Sequence, residues 1–131
     1  MQAPPLVVAV VDDEEPVRRA LRRLFRASGY EAVTFASGFE FLEFLQRARP
    51  ACALLDLHLP GLTGLDILQN LSALQPQVPS VVITGHDAPG VKARVLAAGA
   101  HEYLLKPLDE SVLLAAVAGA IESAGERCTK V

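Results

Sequence analysis

The 131-residue sequence predicts an α/β domain built on a doubly wound parallel sheet of five strands, (βα)5. Short runs of strand-forming residues alternate five times with segments whose apolar residues have helical spacing, which is typical of such a sheet. The first, third and fourth runs are almost continuously apolar, as expected of strands covered by helices on both faces. In such folds, ligands bind at the carboxyl ends of the strands, where the strand order switches.

Five apolar segments rich in β-branched residues are predicted as strands, and turn or helix-start signals bound each one. The predicted strands are Leu6–Val11, Glu31–Phe35, Cys52–Leu55, Ser80–Thr84 and His101–Leu105.

The first two helices begin and end at clear signals. Helix one has Pro16 in its first turn, where proline is tolerated, and Gly29 as a stop. Helix two opens on Ser37, with Glu40 three residues later, which is a capping-box pattern. Glu14 and Glu15 are predicted to cap helix one and to favour its positive N-terminus.

The remaining three helices have weaker start signals. Helix three begins with Thr63 and Asp66, a weaker variant of the capping box. Helix four is predicted to start near Asp87–Pro89 and to end before Gly99. Helix five is predicted to start at Asp109.

Length and composition predict a single domain over residues 1–131, with a core of about 6–123 and a C-terminal tail of 124–131. A hydrophobic fraction of 51% excludes a disordered chain, and a net charge of -3 argues against direct nucleic acid binding. No apolar run approaches the roughly 20 residues of a membrane span, and the N-terminus does not resemble a signal peptide. A cytoplasmic location is therefore expected.

The two cysteines predict neither a disulfide nor a metal site. Cys52 lies in an apolar run and is expected in the core, whereas Cys128 lies in the polar tail. Neither cysteine has a second metal ligand at a suitable spacing.

Reactive side chains follow four of the five predicted strands. Asp12 and Asp13 follow the first, Asp56 the third, Thr84 ends the fourth and Lys106 follows the fifth. Because the carboxyl ends of parallel strands meet at one edge, these groups are expected to converge.

Their chemistry suits phosphoryl transfer. Three close carboxylates are costly without a cation, and an oxygen-only ligand set suits Mg²⁺. A metal and a lysine can together clamp a transferring phosphoryl group, while a carboxylate can act as its nucleophile. The hydroxyl of Thr84 can donate a hydrogen bond to a phosphoryl oxygen.

The sequence resembles the receiver domain of two-component response regulators, the fold shared with the bacterial chemotaxis regulator. The matching segments are "VVDDEEPVRRAL", "LLDLHLPGLTGLDIL", "VVITGHDAPG" and "AAGAHEYLLKPLDE", which together cover nearly all of residues 6–123. The resemblance implies a flavodoxin-like sheet with strand order 2-1-3-4-5. It also implies that the chain assists its own phosphorylation and dephosphorylation and is otherwise not an enzyme.

The resemblance assigns a role to each residue at the strand ends. Asp56 would accept the phosphoryl group from the phosphohistidine of a sensor histidine kinase. Asp13, Asp56 and the backbone carbonyl of His58 would ligate Mg²⁺ directly, and Asp12 would hold it through water. Lys106 would contact the phosphoryl oxygens, or pair with Asp56 in the unphosphorylated state.

The resemblance also implies a switch. Thr84 would move towards the phosphoryl group and Tyr103 would change rotamer with it, which alters the surface of helix four, strand five and helix five. The Lys106–Pro107 bond is often cis in this family. A homodimer formed on phosphorylation through this surface is a further hypothesis.

Two groups of side chains each have two interpretations, one structural and one functional. His58 and His86 are either exposed loop residues or regulators of aspartyl-phosphate hydrolysis. The helix-one arginines form either a solvated face or part of a docking surface for an acidic kinase; they are Arg18, Arg19, Arg22, Arg23 and Arg26.

Three rival functions stand beside the receiver interpretation. A phosphatase of the haloacid dehalogenase type would need Asp-x-Asp after the first strand, whereas Asp56-Leu57-His58 follows a middle one. A flavodoxin-like cofactor binder would need a phosphate-binding loop where "DDEE" stands. A receiver-like module that only binds a partner is the third. The matching segments also resemble receivers that precede DNA-binding output domains, so the chain could be a fragment of a longer regulator.

Overall fold

The computed structural model describes residues 4–74 and 76–129, with side chains up to residue 125. Five strands alternate with five helices along this part of the chain, as the sequence predicts. The elements are β1 (Val7–Val11), α1 (Glu15–Ala27), β2 (Glu31–Phe35), α2 (Gly38–Leu45), β3 (Cys52–Asp56), α3 (Gly64–Ser72), β4 (Ser80–Thr84), α4 (Val91–Ala97), β5 (Glu102–Leu105) and α5 (Glu110–Thr129).

The five strands form one parallel sheet in the order β2-β1-β3-β4-β5. The predicted fold class and strand order are therefore confirmed. The pairing brings strand ends level, since Asp56 lies opposite Ile83 and Thr84 opposite Leu105. This register places the residues that follow the strands along one edge of the sheet.

Side chains of the sheet alternate between two apolar cores, one on each face. In β1, Val8 and Val10 belong to the core covered by α1 and α5. Ala9 and Val11 belong to the opposite core, covered by α2, α3 and α4. All residues of β3 and β4 are buried, which is why these strands have no polar alternation. Cys52 lies in the first core as a buried free thiol, and burial raises its pKa to about 12.

The capping boxes at the starts of α2 and α3 differ from the sequence prediction. In α3, Thr63 Oγ1 accepts from the Asp66 amide at 3.3 Å, and an Asp66 oxygen accepts from the Thr63 amide at 3.0 Å. In α2, Ser37 Oγ accepts from the Glu40 amide at 3.2 Å, but the Glu40 carboxylate accepts from the amide of Ala36 instead. The box predicted to be weaker is thus the complete one.

The predicted start of helix four is wrong. Helix α4 begins at Val91, after Gly90 in the left-handed conformation, and not near Asp87–Pro89. The Asp87 carboxylate bonds to β5, which keeps that segment in the loop. Helix α5 begins at Glu110, next to its predicted start at Asp109, and continues to Thr129, so residues 124–129 of the predicted tail are helical. In the described part of the chain, no helix is long and apolar enough to cross a membrane.

Candidate functional site

The predicted site residues meet at the carboxyl edge of the sheet. The hydrogen bonds between neighbouring strands continue one residue beyond the strand ends. The amide of Leu57 donates to the Ile83 carbonyl, and the amide of Lys106 donates to the Thr84 carbonyl. The amide of Asp12 donates to the Phe35 carbonyl at 3.1 Å. Side chains from four strand ends therefore face one site.

Three carboxylates form the centre of this site. Asp12, Asp13 and Asp56 each offer an oxygen, and these atoms lie within 4.8 Å of one another. Asp12 is fully buried, Asp56 is 5% exposed and Asp13 is exposed. Hard oxygen ligands open to solvent on one side fit Mg²⁺, which keeps several waters when bound. The sequence prediction that these carboxylates converge is confirmed.

The Lys106 ammonium supplies positive charge to the carboxylates. Its Nζ lies 3.0 Å from Asp12 Oδ2, 3.5 Å from Asp56 Oδ2 and 3.7 Å from Glu14 Oε1. Burial alone would lower the pKa of Lys106, but the hydrogen bond and the charge of Asp12 raise it overall. The expected contact with Asp56 is present, yet Asp12 is the nearer partner. Glu14 stands at the N-cap of α1 without a capping side-chain bond, so its predicted capping role is wrong.

The Asp56 carboxyl sits in an environment that disfavours its charge. Burial is the largest influence and raises its pKa, and the negative charge of Asp12 adds to this. The amide of His58, which donates to Asp56 Oδ1 at 3.1 Å, and the Lys106 ammonium act in the opposite direction. Without a further cation the site therefore leaves part of this charge uncompensated.

The Thr84 hydroxyl is engaged with its own loop. Its Oγ1 donates to the carbonyl of His86 at 3.0 Å and accepts from the amide of the same residue at 3.1 Å. Thr84 is fully buried. Its position at the site edge agrees with the prediction, but its hydroxyl is committed to the β4–α4 loop.

Tyr103 is packed beneath α4 and only 6% exposed. Its hydroxyl donates to Asp87 Oδ1 at 2.9 Å. Burial, followed by this bond, raises the pKa of Tyr103. The sequence prediction missed Asp87 as a site residue, because no motif joins it to a tyrosine 16 positions away.

Comparison with known proteins identifies the family. Residues 8–118 match the response regulator receiver domain. The chain belongs to this family. Nodulation protein W of Bradyrhizobium diazoefficiens is 40% identical over 116 residues, 88% of this chain and 51% of that protein. Transcriptional regulatory protein FixJ of Rhizobium meliloti is 35% identical, over 88% of this chain and 56% of the relative.

Solved structures agree with this assignment. A response regulator receiver protein from Burkholderia phymatum has a TM-score of 0.79 and 40% identity, covering 89% of this chain and 95% of that one. The receiver domain in this chain spans about half the length of the curated relatives it matches. Membership in the receiver family rules out two of the alternative functions considered above. These are a phosphatase of the haloacid dehalogenase type and a flavodoxin-like cofactor binder.

Three further features lie close to the acidic site: a cis peptide bond, two histidines and an arginine. The Lys106–Pro107 bond is cis, as the resemblance implies. His58 and His86 are exposed, with ring centroids 6.2 Å apart in an edge-on arrangement. Arg18 is not only part of a solvated face, since its Nη1 donates to the Asp12 carbonyl at 2.9 Å. This contact anchors the start of the acidic segment to α1.

Proposed function

We propose that this receiver domain accepts a phosphoryl group on Asp56 from the phosphohistidine of a sensor histidine kinase in the cytoplasm. The observation that carries the proposal is the buried Asp56 carboxylate, 3.5 Å from Lys106 Nζ and within 4.8 Å of the oxygens of Asp12 and Asp13. This is a nucleophile with cationic and metal-binding neighbours in a chain of the receiver family. The domain acts as a phospho-acceptor and not as a conventional enzyme.

In this reaction the phosphoryl group moves from the histidine side chain of the kinase to the carboxylate of Asp56. An Asp56 oxygen attacks the phosphorus atom, the phosphorus–nitrogen bond breaks, and the imidazole nitrogen keeps the electron pair and takes a proton from solvent. Lys106 pairs with charge on the phosphoryl oxygens, since its ammonium already faces Asp56.

Mg²⁺ is the cofactor we assign to the acidic site. Asp12, Asp13 and Asp56 would hold it, with the backbone carbonyl of His58 as a further ligand. The bound ion supplies positive charge that stabilises the phosphoryl oxygens during transfer. The raised pKa of Asp56 supports this assignment, because an added cation would favour the charged carboxylate.

The phosphorylated site would act on the face formed by α4, β5 and α5. A phosphoryl group adds nearly two negative charges and three acceptors at Asp56, to which the Thr84 hydroxyl can donate. Movement of Thr84 and Tyr103 then shifts a pre-existing equilibrium of this face. We propose a homodimer of the phosphorylated form through this face. Because FixJ is named a transcriptional regulator, we further propose a DNA-binding output domain in a longer protein.

Phosphorylation of Asp56 is tested by labelling the protein with a radioactive histidine kinase phosphodonor, with and without Mg²⁺. The expected label requires Mg²⁺, survives acid, is released by hydroxylamine and is absent from Asp56→Asn. Glu43→Gln, which alters an exposed acid on α2, should label normally. Label retained in Asp56→Asn would refute the site, and no label in the wild-type protein would favour the partner-binding module.

A further inference from the structure

Two of the three histidines of the chain lie beside each other at the carboxyl edge of the sheet. His58 lies in the loop after β3 and His86 in the loop after β4, each two residues beyond the end of its strand. Both residues are exposed, and their ring centroids are 6.2 Å apart with the ring planes at 90°. The proposed transfer of the phosphoryl group uses neither imidazole.

The pairing of β3 with β4 brings these two loops together whatever rotamers the side chains adopt. Asp56 lies opposite Ile83, and the amide of Leu57 continues the pairing by donating to the Ile83 carbonyl at 2.9 Å. Neighbouring strands are about 4.8 Å apart, so residues that follow two paired strands begin close to each other. The adjacency of the two histidines is therefore a property of the sheet.

Hydrogen bonds hold the backbone at both histidines. The amide of His58 donates to Asp56 Oδ1 at 3.1 Å. The amide of His86 donates to Thr84 Oγ1 at 3.1 Å, and its carbonyl accepts from the same hydroxyl at 3.0 Å. Each exposed imidazole is thus attached to a fixed backbone, which reduces the entropy lost when a ligand orders the pair.

The separation of the two rings suits a transition-metal ion. A nitrogen–metal bond of about 2.1 Å places the ring centroids of two imidazoles on one ion roughly 5–6 Å apart. The observed 6.2 Å reaches this arrangement by small side-chain rotations, since both rings are exposed. Imidazole nitrogen suits Zn²⁺, Ni²⁺ and Cu²⁺, whereas Mg²⁺ prefers oxygen ligands. The histidine pair and the carboxylate cluster therefore select different ions.

We propose that His58 and His86 together bind a divalent transition-metal ion, with water completing its coordination, and that the bound ion slows phosphorylation of Asp56. The ion joins the loops after β3 and β4 and holds His86 where its backbone engages the Thr84 hydroxyl. Thr84 has one hydrogen to donate, so it reaches a phosphoryl oxygen only after leaving His86. The metal site goes beyond the proposed function, and only its effect on phosphorylation rests on that function.

Binding is tested by calorimetric titration of Zn²⁺ into the whole chain in saturating MgCl₂, which competes for the carboxylates. His58→Gln and His86→Gln should each bind Zn²⁺ about 10-fold more weakly than wild type, because the remaining imidazole lacks a second ligand at high effective concentration. The double variant should bind little more weakly than either single variant, since each already breaks the pair. His101→Gln alters the third histidine, which is also exposed, and should bind as wild type does.

Nuclear magnetic resonance identifies the ligands directly. The ring-proton signals of His58 and His86 should change together as Zn²⁺ is added in saturating MgCl₂, and those of His101 should stay unchanged. The three single variants assign the signals, because the chain has three histidines. A change in only one signal of the pair would overturn the shared site.

The effect on phosphorylation is measured with acetyl phosphate and Mg²⁺ at increasing concentrations of Zn²⁺. Labelling of wild-type Asp56 should slow about 3- to 10-fold when the histidine pair is saturated, the effect of stabilising the present loop arrangement by about one hydrogen bond. His58→Gln and His86→Gln should each label at one rate with and without Zn²⁺ at that concentration. His101→Gln should slow as wild type does.

The outcomes separate the metal site from the function of the domain. Equal Zn²⁺ affinity of wild type and the histidine variants, or an equal loss of affinity in Asp13→Asn, overturns the site. Zn²⁺ bound at the pair without slower labelling overturns its effect on phosphorylation. If wild type takes no label without Zn²⁺, the proposed function fails and that effect with it, while calorimetry still decides the site. His58→Asn and His86→Asn give the same comparison if a glutamine variant does not fold.

Discussion

At the scale of the residue, Asp12 has a more central position than the sequence suggests. It is fully buried, and its oxygens bond to Lys106 Nζ and to the amide of Glu14 at 2.9 Å. Arg18 holds its carbonyl. A carboxylate with this many partners is fixed in place before any ion binds. Asp13, which is exposed, and Asp56, whose charge is disfavoured, then complete a preformed oxygen cluster.

Mg²⁺ should stabilise the folded domain in a pH-dependent way. The pKa of Asp56 is raised in the folded state. Its contribution to the free energy of unfolding is therefore complete below a pH of about 3.8, the ordinary pKa, and is lost as the pH rises through the folded-state pKa. Mg²⁺ binds the charged form, so its stabilisation should grow over the same interval and reach about 2.7 kcal/mol at an ion concentration 100-fold above Kd. Thermal melting with and without MgCl₂ measures this effect.

The control for this prediction is Asp13→Asn. Asp13 is exposed, so the substitution removes one ligand oxygen charge with little loss of packing. Its melting temperature should respond far less to Mg²⁺, and KCl at equal ionic strength should not replace the ion. An unchanged melting temperature of the wild-type protein in Mg²⁺ near neutral pH would contradict the metal assignment.

At the scale of the element, the start of α3 is packed directly against the end of β3. The Gly64 amide donates to the Leu57 carbonyl at 3.0 Å. A Cβ at Gly64 would lie 3.0 Å from the Asp56 carbonyl oxygen and 2.9 Å from Leu57 Cα, both backbone atoms. The glycine therefore allows the helix to approach the strand end that carries the nucleophile.

Gly64→Ala should destabilise the domain by about 1–3 kcal/mol, because the backbone must shift to relieve the contact. Since the shifted atoms belong to Asp56 and Leu57, labelling of Asp56 should also slow. Gly125→Ala is the matched control: this glycine lies in α5 with no heavy atom near its added Cβ, so alanine should stabilise by up to about 1 kcal/mol. Urea unfolding measures both, and equal stability of the two variants would contradict the close approach.

At the scale of the whole molecule, apolar side chains remain exposed on the face proposed to switch. Leu96 of α4, Leu105 of β5 and Val112 of α5 are 38%, 49% and 50% exposed. Helices α4 and α5 both contact β5, which is the edge strand of the sheet and carries Tyr103. A rearrangement at Tyr103 can therefore change how these three side chains are presented to a second copy.

Sedimentation velocity should show a monomer without ligand and a dimer with Mg²⁺ and beryllofluoride. Val112→Glu should abolish the dimer and leave labelling of Asp56 intact, because it places a charge in the apolar face. Leu6→Glu changes a similarly exposed residue at the start of β1 and should still dimerise. A monomer both with and without beryllofluoride would refute the dimer.

The parallel sheet and the residues of its site could be predicted from the amino-acid sequence. Apolar runs and helical spacing are local signals, and the edge of a parallel sheet collects whatever follows its strands. That is why Asp12, Asp13, Asp56, Thr84 and Lys106 could be named without coordinates. The start of α4 could not, because a bond from Asp87 to β5 overrides its local start signals.

The pairing of these side chains depends on the packed fold. Lys106 lies nearer to Asp12 than to Asp56, and Tyr103 bonds to Asp87. Such pairings depend on differences of a few tenths of an ångström between elements far apart in the chain, and on rotamers chosen by packing. Spacing in the sequence carries no information at that resolution, so the carboxylate cluster was predictable and the bond between Tyr103 and Asp87 was not.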